Sequence, residues 1–142
     1  MAKRKFLGLQ YPLVKTSRGI LAQKSGIDQI KADLLQLLLT NPGERVMLPT
    51  YGTPLRRLMF EPNDPQLEIT AKKMIADAIE EWEPRIVVSQ IEVFSTFPKS
   101  SLDRADPGED IDHILGVRIL FYDPQNISEV NELRMETTIM GG

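Results

Sequence analysis

Residues 64–93, DPQLEITAKKMIADAIEEWEPRIVVSQIEV, contain the change of hydrophobic period that decides the fold class. Asp64 is a favoured capping residue, Pro65 suits the first position of a helix, and Pro84 must end it. Between the two prolines the apolar residues recur at helical steps: Leu67, Ala71, Met74, Ile75, Ala78, Ile79 and Trp82. After Pro84 the pattern alternates, which predicts a strand from Arg85 to Phe97.

Two further helices are predicted before this one. The first has Ser25 as its cap and ends at Asn41-Pro42-Gly43, because proline disfavours a helical residue before it and glycine permits a positive φ. The second runs from Pro54 to Phe60 with Thr53 as its cap. Residues 6–24 mix apolar positions with turn residues and predict an extended arm with a short hairpin.

The second half of the chain is predicted to form strands. Gly116 to Tyr122 places Val117, Ile119 and Phe121 on one face, and Asp123 to Asn126 forms a turn. The tail alternates again at Leu133, Met135, Thr137 and Ile139, while Pro98 to Asp112 is a polar loop. We therefore expect an α+β fold, in which three N-terminal helices pack on a C-terminal antiparallel sheet of two to four strands. Residues 1–142 are expected to form a single domain.

Composition excludes several classes of function. The chain has 42% apolar residues, no cysteine and a formal net charge of −3, so it lacks thiol chemistry and the basic character of nucleic-acid-binding domains. The run Leu34 to Leu39 is far shorter than the ~20 residues that span a bilayer. We expect no nucleic-acid or membrane partner. Lys3-Arg4-Lys5 could contact phosphate or an acidic partner, but a solvated, frayed end explains it more simply.

Catalytic chemistry has little support in the sequence. His113 is the only histidine, and without cysteine it cannot build a usual zinc site, so neither a metal nor a cofactor is expected. Glu68 and Asp77 match the spacing of two acids in phage-lysozyme-like enzymes, but on one helix they lie on opposite faces about 13 Å apart. We therefore interpret the chain as a protein without catalytic residues. The alternative from another class is a peptidoglycan-cleaving muramidase that uses Glu44, Glu61 and Glu83.

Two short segments place a glutamate and an arginine at a stiff bend. The first is Thr40-Asn41-Pro42-Gly43-Glu44-Arg45, followed by Pro49 and Tyr51-Gly52, and the second is Trp82-Glu83-Pro84-Arg85. A guanidinium can hold a carboxylate through two parallel hydrogen bonds. Glu83 and Arg85 either tie the third helix to the following strand or reach a neighbouring subunit. Glu44 and Arg45 are either exposed charges at a helix end or contacts that lose water against a partner.

These segments, together with Gly8-Leu9-Gln10-Tyr11-Pro12, resemble the W-type baseplate wedge proteins of contractile phage tails, which have relatives in type VI secretion. The resemblance covers residues 6 to 122 and includes the Glu-Pro-Arg signature of that family at Glu83, Pro84 and Arg85. It implies a structural protein of the tail baseplate, assembled in the host cytoplasm and present in several copies within a hetero-oligomer. It implies as partners the other wedge proteins and the tail sheath protein, whose polymerisation would begin on this subunit.

The resemblance divides the chain into a wedge-like core, 6–123, and a C-terminal strand or tail, 124–142. We expect the core to contact partners through five residues of the two motifs: Glu44, Arg45, Glu83, Pro84 and Arg85. In the tail we expect contacts through Leu133, Met135 and Ile139, because an unpaired edge strand accepts a strand from another chain. A third strand within the same sheet is the simpler alternative. The leucine-rich first helix, with Leu35 and Leu39 outside its main apolar stripe, either packs on other chains or is fully buried.

Overall fold

The computed structural model of the chain describes residues 7–58, 60, 65–96 and 113–139. Its elements, in chain order, are β1 (Leu7–Leu9), β2 (Gln23–Ser25), α1 (Ile27–Leu39), α2 (Leu55–Leu58), α3 (Pro65–Trp82), β3 (Val87–Thr96), β4 (His113–Asp123) and β5 (Asn126–Ile139). The mixture of helices with an antiparallel sheet is confirmed. The expected order of helices first and strands second is only partly correct, because a two-stranded hairpin precedes the helices.

The N-terminal hairpin, residues 7–25, leads directly into α1. β1 and β2 pair antiparallel, with Leu7 opposite Ser25. Ser25 is therefore still part of a strand and does not cap the helix, as the sequence had suggested. Gly26 is the capping residue: its φ of 65° turns the chain, and its carbonyl accepts the first helical bonds from the amides of Gln29 and Ile30. Glycine adopts this conformation without steric cost.

One hydrophobic core joins the helices to the long strands. α1 and α3 each direct an apolar stripe inward, at the helical spacing that the sequence predicts. The central buried residues are Ile30, Leu34, Leu37, Ala71, Ile75, Ile79, Val117, Ile119 and Phe121. Leu35 packs against the edge of this core, while Leu39 remains exposed at the end of α1. α1 is thus not fully buried: its apolar residues pack mainly on the core of its own chain, and Leu39 at its end is exposed.

The three long strands form an antiparallel sheet in the order β3-β4-β5. The predicted inward face of β4 is confirmed, since Val117, Ile119 and Phe121 are completely buried. A bulge between Val88 and Gln90 in β3 shifts the register. Apolar and polar residues therefore do not alternate regularly along the sequence of this strand. The predicted turn before residue 126 is also confirmed, and β5 then pairs with β4 along nearly its whole length.

The opposite face of the sheet carries charges. Arg118 in the central strand lies between Glu132 of β5, at 2.7 Å, and Glu92 of β3, at 3.3 Å. These hydrogen bonds raise the pKa of Arg118, with Glu132 making the larger contribution. Beside them the ring of Phe94 lies directly against Gly116, where any side chain would overlap it. The helices thus pack on one face of the sheet, and this charged face lies opposite the core.

Several predicted boundaries need correction. The short helix spans Leu55–Leu58 and is narrower than the predicted range 54–60. β3 (Val87–Thr96) begins two residues after the predicted start at Arg85, because its pairing with β4 begins at Val87. β5 (Asn126–Ile139) begins before the predicted alternation at Leu133, because backbone pairing with β4 continues where the apolar alternation is weak. α3 begins and ends where the two prolines place it. Three predicted features lie outside the described residues: the helix cap Asp64, the end at Phe97 of the strand predicted from Arg85, and the polar loop 98–112.

Candidate functional site

The first motif forms a compact loop, residues 40–53, whose two ends are joined by hydrogen bonds. The amide of Thr53 donates to the carbonyl of Thr40 at 2.9 Å, and the amide of Gly43 donates to the carbonyl of Pro49 at 2.7 Å. Gly52 has a φ of 118°, and a Cβ atom there would overlap the carbonyl oxygen of Thr40. The loop can close this tightly only because residue 52 is glycine.

Thr53 does not cap α2, as the sequence had suggested. Its side chain is completely buried, and its hydroxyl donates to the carbonyl of Leu38 at 2.9 Å. The last carbonyls of a helix lack partners within the helix, so this bond satisfies one of them. Thr53 thus closes the C-terminal end of α1 and fixes the loop to it.

Glu44 is held inside this loop. Its carboxylate accepts hydrogen bonds from the backbone amide of Asn41 at 3.1 Å and from the Asn41 side chain at 2.7 Å. The bond from the Asn41 side chain is the main cause that lowers the pKa of Glu44. Arg56 lies 3.9 Å away, and both side chains are exposed. Glu44 therefore acts first as an acceptor that shapes the turn.

An aromatic contact connects the two motifs. The guanidinium of Arg45 lies over the ring of Tyr51, 4.1 Å from its centroid. Tyr51 in turn meets Trp82 edge to face, with their centroids 5.3 Å apart. Burial is the main cause that raises the pKa of the Tyr51 phenol; the charge of Arg45 lowers this pKa, while those of Asp33 and Glu83 raise it. The loop and the end of α3 thus form one continuous surface.

Glu83 and Arg85 are bound to each other across Pro84. The Nε and Nη2 atoms of Arg85 donate to the two carboxylate oxygens of Glu83, and Nη2 also donates to Asp33 on α1 at 2.7 Å. Glu83 is only 4% exposed. The bonds with Glu83 are the main cause that raises the pKa of Arg85, which stays charged at every accessible pH. This cluster of Asp33, Glu83 and Arg85 joins α1, the end of α3 and the start of β3.

The cluster continues toward the N-terminal hairpin. The side-chain amide of Gln29 donates to the second oxygen of Asp33 at 2.7 Å. On its other side Gln29 lies so close to the backbone of Gly8 that a side chain at residue 8 would overlap it. Asp33 and Gln29 were not identified from the sequence. The available signal was weak: Gln29 and Asp33 are four residues apart and therefore share one face of the helix.

The predicted contact residues of the tail lie in β5. Leu133 is opposite Ile119 and Met135 is opposite Val117, so both belong to the inward face of the sheet, and Met135 is buried. The backbone of Ile139 is opposite that of His113. In the strand order β3-β4-β5, β5 is at the edge and has one partner strand among the described residues. A strand from another molecule would therefore meet the backbone of this edge.

The acidic residues considered from the sequence lie far apart or are bound within the fold. No group of three or more histidine, cysteine or acidic side chains that could hold a metal occurs within residues 7–58, 60, 65–96 and 113–139. Glu68 and Asp77 both lie on α3, nine residues apart, as expected. Glu83 is buried and bound by Arg85, while Glu61 lies outside the described residues. No described helix is both long and apolar enough to cross a bilayer.

Comparison with known proteins identifies the family. The profile of the family described as baseplate wedge protein gp25 matches residues 24–105, more than half of the chain and including both motifs. The chain belongs to this family. The gp25 family is a family of contractile-tail baseplate components, so the baseplate of a phage tail is where this chain resides. The resemblance noted from the two motifs is confirmed.

One curated relative and two solved structures extend this result. Baseplate protein W of Escherichia phage P2 is 31% identical over 71 residues, which cover 50% of this chain and 62% of that protein. The chain thus spans less than two thirds of that relative. A chain of the anti-feeding prophage baseplate has a TM-score of 0.65 at 20% identity and covers 87% of this chain and 93% of its own.

A second solved structure carries a different description. A putative tail lysozyme from Geobacter sulfurreducens has a TM-score of 0.60 at 19% identity, with coverage of 80% of this chain and 91% of its own. At these identities both structural likenesses concern the fold. The likeness to the putative lysozyme therefore transfers no active site to this gp25-family chain.

Proposed function

We propose that this gp25-family chain is a non-enzymatic assembly subunit, which binds other wedge proteins through the surface that joins its two motifs and starts the tail sheath at β5. The observation that carries the proposal is the tip of the loop 40–53. Val46 and Met47 are 93% and 89% exposed, and Leu48 beside them is also exposed. Large apolar side chains presented together on a soluble protein mark a surface that a partner covers.

The loop presents these side chains rigidly. Its ends are fixed by the bonds between Thr40 and Thr53 and between Gly43 and Pro49, and Arg45 next to the tip is anchored over Tyr51. A partner that binds a surface already fixed in shape loses less conformational entropy than one that must order a flexible loop. The stiff turn therefore serves recognition, while its glutamate and arginine serve mainly to hold its shape.

An open cleft lies next to the loop and suggests the chemistry of the partner. It has a volume of about 520 Å³ and is lined by Asn41, Pro42, Pro54, Arg56, Arg57 and Phe60. Both arginines and the ring of Phe60 are exposed. A helix with apolar residues on one face and acidic residues beside them would complement this cleft and the loop tip. We propose that such a segment of a wedge protein binds here.

The cluster of Asp33, Glu83 and Arg85 would support this surface from behind. Arg85 already binds two carboxylates within its own chain, and Glu83 is buried. This arrangement favours the interpretation in which these residues orient Trp82, and through it Tyr51, for the partner. Pro84 is exposed and remains available for direct contact.

The sheath would begin at the free edge of β5. This strand has 14 residues, Asn126–Ile139, and the side chains of Leu133 and Met135 are directed at the core of their own subunit. Recognition would therefore use the backbone hydrogen-bonding groups along the edge, as in strand addition generally.

The loop-tip proposal is tested by following tail assembly when the wild-type gene for this chain is deleted and a variant of the chain is supplied in its place. We expect the double variant Val46→Ser with Met47→Ser to fold normally but to give few or no complete baseplates by electron microscopy. Ile69→Ser is the matched control, because Ile69 is also a strongly exposed apolar residue but lies on α3. Complete tails at the wild-type number in the double variant would refute the proposed wedge contact.

Strand addition at β5 is tested separately by proline substitution. Val130 and Asn131 are adjacent, so in an antiparallel ladder the amide of one faces β4 and that of the other faces the open edge. Proline at the inward position should destabilise the fold, whereas proline at the outward position should leave it folded but block an added strand. Baseplates without sheath are expected for the folded variant. Sheaths of normal length on that variant would disprove strand addition.

The alternative is a peptidoglycan-cleaving muramidase, which the description of the putative tail lysozyme brings forward. Its test is the turbidity of purified cell walls incubated with the isolated chain. We expect no clearing. Clearing that disappears in Glu44→Gln, Glu61→Gln or Glu83→Gln, with folding retained, would establish the enzyme instead.

A further inference from the structure

Charge is distributed unevenly along this chain. None of its 20 acidic residues occurs before Asp28, whereas six of its 17 basic residues do. The remaining residues, 28–142, therefore carry 11 basic against 20 acidic side chains. A basic N-terminal segment on an acidic body is the charge pattern of an interaction arm, because like charges at this density repel each other unless a partner neutralises them.

The surface of the N-terminal hairpin, residues 7–25, is rich in apolar side chains. It exposes six large apolar side chains: Leu7, Leu9, Leu13, Val14, Ile20 and Leu21. Lys15 and Arg18 lie among them and are exposed, and neither takes part in an ion pair of the described residues. A surface that combines apolar side chains with unpaired positive charge fits an acidic protein surface.

The hairpin is held in a fixed position, and its large apolar side chains remain exposed. Gly8 in β1 presses against Gln29 on α1. Successive residues of a strand point to opposite sides, so Leu7 and Leu9, which flank Gly8, face away from α1. At the far end the turn is closed by hydrogen bonds between Thr16 and Ile20 and between Gly19 and Thr16. The hairpin is therefore an ordered element with uncovered apolar side chains.

The C-terminal half of α3 has the complementary charge. Asp77, Glu80 and Glu81 are all exposed, the last turn contains no basic residue, and these three acids form no ion pair among the described residues. Acids at this end oppose the helix dipole, and like charges three or four residues apart repel. The arrangement destabilises an isolated helix and becomes favourable only when positive charge is brought to it.

We propose that the N-terminal hairpin is a docking arm that binds the acidic C-terminal half of α3 in a second copy of this chain. The arm supplies Lys15 and Arg18 together with its exposed apolar side chains, and the neighbouring copy supplies Asp77, Glu80 and Glu81. Each copy offers both halves of the contact, so copies associate head to tail, which closes a ring when the rotation between them permits. This contact is independent of the wedge and sheath contacts proposed above.

The test is the mass of the purified chain by analytical ultracentrifugation over a range of concentrations. Wild type should associate, and its dissociation constant should rise when salt increases from ~0.1 M to ~1 M, because the Debye length falls from ~10 Å to ~3 Å. Reversing the arm (Lys15→Glu, Arg18→Glu) should weaken association about tenfold or more, and so should reversing the helix (Asp77→Lys, Glu80→Lys, Glu81→Lys). A mixture of the two reversed variants should associate again.

The control and the contrary results are equally definite. Lys31→Glu on α1 removes positive charge outside the arm and outside the proposed wedge surface, and should leave self-association unchanged. Circular dichroism melting of every variant verifies that each is folded. A wild type that stays monomeric at all concentrations, or two reversed variants that fail to associate when mixed, would overturn the proposal. Arm-dependent binding to anionic vesicles or to DNA, in a chain that does not self-associate, would assign the arm to those ligands instead.

Discussion

The guanidinium of Arg85 donates to the carboxylate of Asp33, 52 residues earlier in the chain, with 2.7 Å between Nη2 and Oδ2. The same guanidinium also holds both oxygens of Glu83, which is buried at the end of α3. One side chain therefore fixes the mutual positions of α1, α3 and β3. The surface that carries Trp82 and Tyr51 is built on this joint, so its rigidity affects both the stability of the subunit and the shape it presents.

Loss of Arg85 should destabilise the fold. Arg85→Ala leaves the carboxylate of Glu83 buried without its cation, and we expect the free energy of unfolding to fall by about 3 kcal/mol, since Arg85 is itself 29% exposed. Urea unfolding measures this value. Adding Glu83→Gln to Arg85→Ala removes the unpaired charge and should recover part of the loss. Strictly additive effects of the two changes would contradict the buried pair.

Gly52 and Gly43 provide a matched pair within one loop. Both have positive φ, 118° and 92°, but a Cβ atom meets the carbonyl of Thr40 only at residue 52, whereas the space around Gly43 is open. Gly43→Ala should lower the free energy of unfolding by about 1 kcal/mol, and Gly52→Ala by about 3 kcal/mol or more. Thermal or urea unfolding compares them. Equal effects would mean that the positive φ alone, without the close approach to the carbonyl of Thr40, accounts for the need for glycine at residue 52.

The ring of Tyr51 should matter more than its hydroxyl. Tyr51→Phe keeps the contacts with Trp82 and Arg45 and should change the free energy of unfolding by less than ~0.5 kcal/mol. Tyr51→Leu loses both ring contacts and should lower the free energy of unfolding by about 1–2 kcal/mol. Spectrophotometric titration gives a second readout. Burial raises the pKa of this phenol while Arg45 lowers it, so Arg45→Gln should raise the pKa further. A fall in that pKa would contradict the stacked geometry.

The loop should weaken in acid. The pKa of Glu44 is lowered in the folded chain, chiefly by the Asn41 side chain, so the stabilisation is fully present above the unfolded pKa. It is lost as the pH falls through the lower, folded pKa, because the protonated carboxyl no longer accepts both hydrogen bonds. Asn41→Ala should move the pKa of Glu44 up toward its ordinary value, as read by NMR titration. An unchanged pKa in that variant would exclude this hydrogen bond as the cause.

Local rules predicted the elements whose signals lie close together in the sequence. Pro65 and Pro84 bound a helix whose apolar stripe repeats without interruption, so α3 has the predicted limits. Val117, Ile119 and Phe121 alternate strictly, so their shared face was predicted correctly. The failures at Ser25 and Thr53 have one cause. Serine and threonine often cap helices, but they also occur in strands and bond to other backbone groups. Here Ser25 lies in β2, and the hydroxyl of Thr53 donates to a carbonyl of α1.

The candidate site could be predicted only in part. The sequence indicated Glu44, Arg45, Glu83, Pro84 and Arg85 as residues at stiff bends, but it left open whether they act within or between subunits. The structure pairs Arg85 with Asp33, a residue in a different element that carries no local signal. Whether the motif residues also contact other subunits remains a prediction, as do the contacts of Leu133, Met135 and Ile139 and the division of the chain at residue 123.

By itself the sequence determined the helical stripe of α3, its stop at Pro84, the inward face of β4 and, through its two motifs, the family. Each of these depends on residues within a few turns or within one strand, where spacing translates directly into a face or a break. Only the tertiary structure decided that Tyr51 meets Trp82, that Arg85 bridges α1 and α3, and that the loop tip stays uncovered. Such contacts join residues far apart in the chain, and their geometry is set by how the helices pack on the sheet.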